Sequence, residues 1–172
     1  MAAVLMSNPL YEASVPVFRH GLLVLADLLR KGATWATDQG INPESLLAER
    51  LAPDMLPLVG QVQRVSDHAK GAVARLAGYE CPSWADDERT LAEAHDRITR
   101  TLEFIGGVPF AAFDDALDRT IALPFGDRLV LPAPRYLYHS ALPGFQFHMA
   151  MAYGILRHRG VPLGKRDFIG PV

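Results

Sequence analysis

The sequence predicts an all-α protein: a four-helix bundle with one short β-hairpin between the third and fourth helices. Three observations carry that prediction. Apolar residues recur with the 3.6-residue period in four separate segments. In one of these, Met55, Leu58, Val62, Val65, Ala69, Ala72 and Leu76 alternate spacings of three and four without a miss. Such a seam packs on other helices at a shallow crossing angle. A single window, residues 119–131, departs from this period: RTIAL, then PFGD, then RLVL.

The first helix is expected from Pro9 to Asp38, ending at Gly40. Glu12, Arg19, Asp27, Arg30 and Thr34 project one way at 100° per residue, opposite a stripe of Leu10, Val17, Phe18, Gly21, Leu25, Leu28 and Leu29. Pro16 is expected to kink it. The second helix follows PESLLAERLAPD and runs from Met55 to Ala77, stopped by Gly78; Ala69 and Ala72 allow close approach of a neighbour. The third opens with Ser83 as N-cap, and Asp86, Asp87 and Glu88 in its first turn complement the helix dipole. Leu91, Ala94, Ile98, Thr101 and Ile105 form its inner stripe, and Gly106-Gly107 ends it. In the hairpin Pro124 suits the second position of a type I turn and Gly126 the left-handed position after it. Two short strands are not stable alone and must lean on the helices. The fourth helix begins after Pro134, is interrupted at Pro143-Gly144, and continues to His158, with Gly160 and Pro162 as stop signals. The tail LGKRDFIGPV is expected to be non-helical.

A chain of 172 residues fits one domain, 1–172, with 1–8 as a frayed extension. With 49% apolar and 21% charged residues it reads as an ordinary globular protein, and its net charge of −2 leaves no basic excess for nucleic acid. Cys81 is the only cysteine, which excludes an intrachain disulfide and a thiolate metal cage. The first eighteen residues hold no Lys or Arg and no long apolar core, so no secretory leader is read there. The most apolar stretch, VPVFRHGLLVLADLL, is too short and too interrupted to cross a bilayer. A cytoplasmic location without a membrane partner is the resulting expectation. No GxSxG elbow, P-loop or GxGxxG fingerprint is present.

The chemistry-bearing residues are histidines. In FQFHMAMAYGILRH (145–158), Gln146, Ala150, Tyr153 and Arg157 share one direction, taken as the solvent side. His148 lies 200° from Gln146 and so points inward beside Phe145, Met151, Ala152 and Ile155. A buried imidazole needs partners, since an unpaired polar group costs about 1–3 kcal/mol. His68 sits on the flank of the second helix, with Gln61 two turns before it. Three roles stay open for the pair: structural histidines, a shared metal site, or polar contacts in a ligand pocket. A structural role predicts that His148→Leu is tolerated or stabilising.

Two blocks, RLAPDMLPLVGQVQRVSDHAKGAVARLAG (50–78) and ALPGFQFHMAMAYGILRHRGVPLGKRDFIG (141–170), together with YEASVPVFRHGL, resemble a bacterial domain-of-unknown-function family. That family is similar to the DinB/YfiT-like superfamily. The resemblance implies a four-helix bundle with a long crossover between antiparallel helix pairs. It also implies a divalent metal, zinc or nickel, held by three histidines. His68 matches the second-helix ligand and His148 the first of a helix-four pair, while Ala152 stands where the third histidine would fall. Some members are transferases or isomerases using a low-molecular-weight thiol. The expectation is therefore a bundle that binds a small molecule in a pocket lined by His148, Phe145, Ala152 and His68, with an incomplete metal site at His68 and His148. The alternatives are a metal-dependent thiol transferase or isomerase, and a non-catalytic structural homodimer. Dimerisation is expected through exposed apolar helix surface, Leu23 included.

Overall fold

A computed structural model describes residues 8–123 and 129–171. Its elements are α1 (Pro9–Glu12), α2 (Val15–Asp38), α3 (Leu58–Ala77), α4 (Leu91–Gly107), β1 (Thr120–Leu123), β2 (Leu129–Pro132), α5 (Ala133–Tyr136), α6 (Leu142–His158) and α7 (Lys165–Ile169). The bundle is made by α2, α3, α4 and α6, and its core runs from Leu10 and Phe18 through Val65, Ile98 and Phe145 to Leu156.

Side-chain pairs set the helix directions. Gly21 meets Phe145 and Gly32 meets Leu156, so α2 and α6 run parallel. Gln61 bonds His148 while His68 covers Gly144, so α3 runs against α6. Arg19 lies beside Gly106, and Glu44, just past α2, accepts from the Leu91 amide, so α4 runs against α2. Hence α3 and α4 are parallel, and the chain between them must travel back along α3. The 20 residues of α3 span about 30 Å at 1.5 Å per residue. Residues 79–89, extended, reach about 36 Å and suffice. Their contacts track the return: Lys70 to the Pro82 carbonyl, Arg64 to Asp86, Gln63 to Glu88.

That crossover corrects the expected start of the third helix. Ser83 caps nothing; Thr90 does, in a reciprocal box with Glu93. Asp86 and Glu88 serve Arg97 at 2.9 and 2.8 Å instead of a helix dipole. The expected kink at Pro16 is a break between α1 and α2, which puts the proline in a first turn, where its missing N–H costs nothing. Val17, assigned to the inner stripe, lies exposed at the rim. The second helix starts at Leu58 rather than Met55, and Gly78 ends it at φ 75°. The interruption of the fourth helix falls before Pro143: residues Leu137–Ala141 form a π-helical turn in which the Leu142 amide bonds the Leu137 carbonyl. A widened turn accommodates a proline that cannot donate to the carbonyl four residues back.

The hairpin is antiparallel, with Thr120 opposite Pro132 and Leu123 opposite Leu129. Its expected turn at Pro124 and Gly126 lies outside the described residues. The tail holds a short helix, α7, where none was expected. The Asp167 carboxylate accepts from the Gly164 amide at 2.7 Å and from Lys31 of α2 at 2.6 Å. Phe168 then covers Tyr153, 5.7 Å between ring centres, so this part of the expected solvent side of α6 is half-buried. Among the described residues no helix is long and apolar enough to cross a membrane.

Candidate functional site

His148 lies on the α3-facing flank of α6, half-buried, next to exposed Phe147. Its hidden partner is Gln61: Nδ1 stands 2.8 Å from Oε1 of the buried Gln61 amide. The amide's orientation follows from its other end, where Nε2 donates to the Leu56 carbonyl at 3.0 Å. Oε1 must therefore accept, so His148 carries its proton on Nδ1 and leaves Nε2 as a lone pair. Burial, the neighbouring His68 and Arg64 lower its pKa from 6.5 to about 4, and the ring is neutral at physiological pH.

The two imidazoles stack at 5.4 Å between centres, tilted by 31°. His68 fits there because Gly144 has no Cβ, which would strike its ring. The His68 ring has no hydrogen-bond partner among the described residues, and it lines a pocket of about 330 Å³ with Arg64, Arg75, Leu123, Tyr136 and Ser140. Burial lowers its pKa; Arg64 and Arg75 add to this, and Asp67 opposes it. Arg75 donates to the Tyr136 hydroxyl at 3.2 Å and makes no ion pair among the described residues. Asp67 also borders the pocket, but Lys70, Arg97 and Arg64 hold its carboxylate at 3.0, 3.1 and 3.2 Å. A larger groove of about 440 Å³ lies between α2, α6 and α7. Its walls are apolar, and its one titratable side chain among the described residues, His20, already has Nε2 2.6 Å from the Ile169 carbonyl. Of these two, the smaller pocket carries the titratable and polar lining.

The expected site residues thus part company. His68 and His148 come together, whereas Phe145 and Ala152, both at 0% exposure, lie in the core away from the pocket. Phe145 fills the space over Gly21 and packs edge-on against Phe18 at 4.9 Å. Among the described residues no group of three or more His, Cys, Asp or Glu comes together to hold a metal ion. Two imidazoles, one tied to an amide and both beside arginine, do not fit a three-ligand metal centre. Arg64, Arg75, Tyr136 and Ser140 were not anticipated as site residues. The arginines were legible: Gln61, Arg64, His68, Gly71 and Arg75 repeat the spacing of the seam as a second, polar stripe of the same helix.

A family model described as a domain of unknown function, DUF1993, matches residues 10–169. No curated protein matches. A solved structure, the crystal structure of a DinB family member protein from Shewanella denitrificans, shares 36% sequence identity with the chain. It superposes with a TM-score of 0.90, covering 95% of this chain and 93% of that one. The crossover along α3, the parallel pair of helices it joins and this likeness agree, and the chain belongs to the DUF1993 family, with a DinB-like bundle fold.

Proposed function

We propose that the protein, acting as a single cytoplasmic domain, binds a small molecule in the pocket beside His68, with His148 stacked behind the ring. One observation carries this reading: His68, neutral and unbonded among the described residues, turns its imidazole onto a preformed space next to an arginine that has no carboxylate partner among them. Polar groups converging on a concave site mark a ligand pocket. His68→Ala is expected to fold as the wild type does yet lose ligand-induced stabilisation, which reaches about 2.7 kcal/mol at a hundredfold excess over Kd. Thermal shift against a metabolite panel reads this directly, and equal shifts in both proteins would reject the site.

The expected alternative, transfer or isomerisation on a low-molecular-weight thiol with a divalent metal, is the weaker reading, since among the described residues no third ligand joins the two imidazoles. Zinc or nickel retained through chelator-free purification, and lost in both His68→Ala and His148→Ala, would select it. We further propose a homodimer through the outer face of α2, where Leu23 is 49% exposed. Leu23→Asp should then sediment as a monomer.

A further inference from the structure

Resting on that pocket reading, we infer that the ligand carries an oxyanion, a carboxylate or phosphate, seated on Arg75, with the Tyr136 and Ser140 hydroxyls and the His68 ring completing the cradle. Charge pairing points there first. Asp67, Asp86 and Glu88 serve Arg64, Lys70 and Arg97 in one closed network of three carboxylates and three cations. Arg75 stands outside it, half-buried and without a carboxylate among the described residues, and a cation taken out of water without a partner is costly unless a ligand supplies the charge.

The local geometry suits that anion. Gly71, one turn before Arg75, has no Cβ, and the guanidinium lies along α3 in the space a side chain would fill. The planar guanidinium fork matches two oxygens of a carboxylate or phosphate. Tyr136 accepts from Arg75 at 3.2 Å, so its own O–H remains to donate, and burial raises its pKa so that the proton is kept at neutral pH. Ser140, brought to the pocket wall by the π-helical turn, has a hydroxyl without a partner among the described residues. Arg64 and Arg75 disfavour a proton on His68 while Asp67 favours one, but that carboxylate is already shared by Lys70, Arg97 and Arg64, which leaves Arg75 to meet an anion.

The test follows the His68 imidazole resonances by NMR at constant ionic strength while inorganic phosphate, acetate or neutral acetamide is added. Saturable shifts are expected with phosphate or acetate and not with acetamide. Affinity should fall about tenfold or more in Arg75→Gln and in Arg75→Lys, which keeps the charge but loses the fork. It should be unchanged in Arg166→Gln, on exposed α7. Arg75→Lys decides the matter if the glutamine variant fails to fold. Acetamide binding as well as acetate, or anion affinity indifferent to residue 75, overturns the oxyanion while leaving the pocket standing. Silence from every probe removes both.

Discussion

At His148 a single hydrogen bond reverses what substitution would do. Considered in isolation, a leucine of similar volume should relieve a costly buried imidazole. However, Gln61 Oε1 takes its proton from His148 Nδ1, and a leucine leaves that buried acceptor unpaired. His148→Leu is therefore expected to cost about 1–3 kcal/mol near pH 7, with Gln61→Leu/His148→Leu recovering part of it. Protonation gives the same residue a second signature. Its folded pKa of about 4 lies below the ordinary 6.5, so the unfolded chain binds the proton first as the solution is acidified. The contribution is complete above the ordinary value and is lost as pH falls toward the folded one. Urea midpoints of the wild type should drop across that window and those of His148→Leu should drop less; parallel profiles would refute the assignment. The sequence showed that the histidine needed a partner, and the polar stripe from Gln61 to Arg75 was there to be seen. Tyr136 and Ser140 were not legible, because the π-helical turn that brings them to the pocket has no periodic signature.

At the scale of elements, small residues decide how closely helices approach. A Cβ on Gly21 would stand 2.5 Å from the Phe145 ring, and that ring is held against Phe18. Alanine in a helix interior gains about 1 kcal/mol over glycine, yet overpacking a full core costs about 1–3 kcal/mol. Gly21→Ala is thus expected to destabilise despite its better propensity, while Gly107→Ala, with nothing within 4 Å, is not. Urea unfolding of both variants checks this, and a stabilised Gly21→Ala would mean that α2 and α6 pack more loosely. The inner faces were well read: Leu91, Ala94, Ile98, Thr101 and Ile105 are all buried. The start of α4 was not, because Ser83 followed by three acidic residues imitates a helix N-terminus. The true signal, Thr90 with Glu93, sits seven residues later, and the acidic run was placed to meet Arg97. The tail helix α7, five residues long, is too short to show a period and depends on Lys31 and Asp167 for its place.

For the whole molecule the decisive feature is the crossover, since parallel α3 and α4 oblige residues 79–89 to cover a helix flank that would otherwise face water. Polar side chains of α3 consequently lie inside. Lys70 reaches the Pro82 carbonyl, and Gln63 reaches Glu88. The pin is Arg97, 1% exposed, which binds Asp67 of α3 together with Ala85, Asp86 and Glu88 of the crossover. Burial alone would raise the Glu88 carboxyl, but hydrogen bonds from Arg97 and Gln63 outweigh it and hold its pKa below the ordinary value. Removing Arg97 strands the buried Glu88 carboxylate, while Asp67 and Asp86 keep access to water, so the cost is about 3 kcal/mol, the lower end for a broken buried pair. Arg97→Met keeps much of the volume and loses the charge, so it should unfold at a markedly lower urea midpoint. Amide hydrogen exchange should accelerate in residues 79–89 before it does in α6. Glu88→Gln, which still offers a carbonyl oxygen to Arg97, should lose less. An Arg97→Met protein as stable as the wild type, with the crossover still protected, would show that apolar contacts alone fasten it to the bundle.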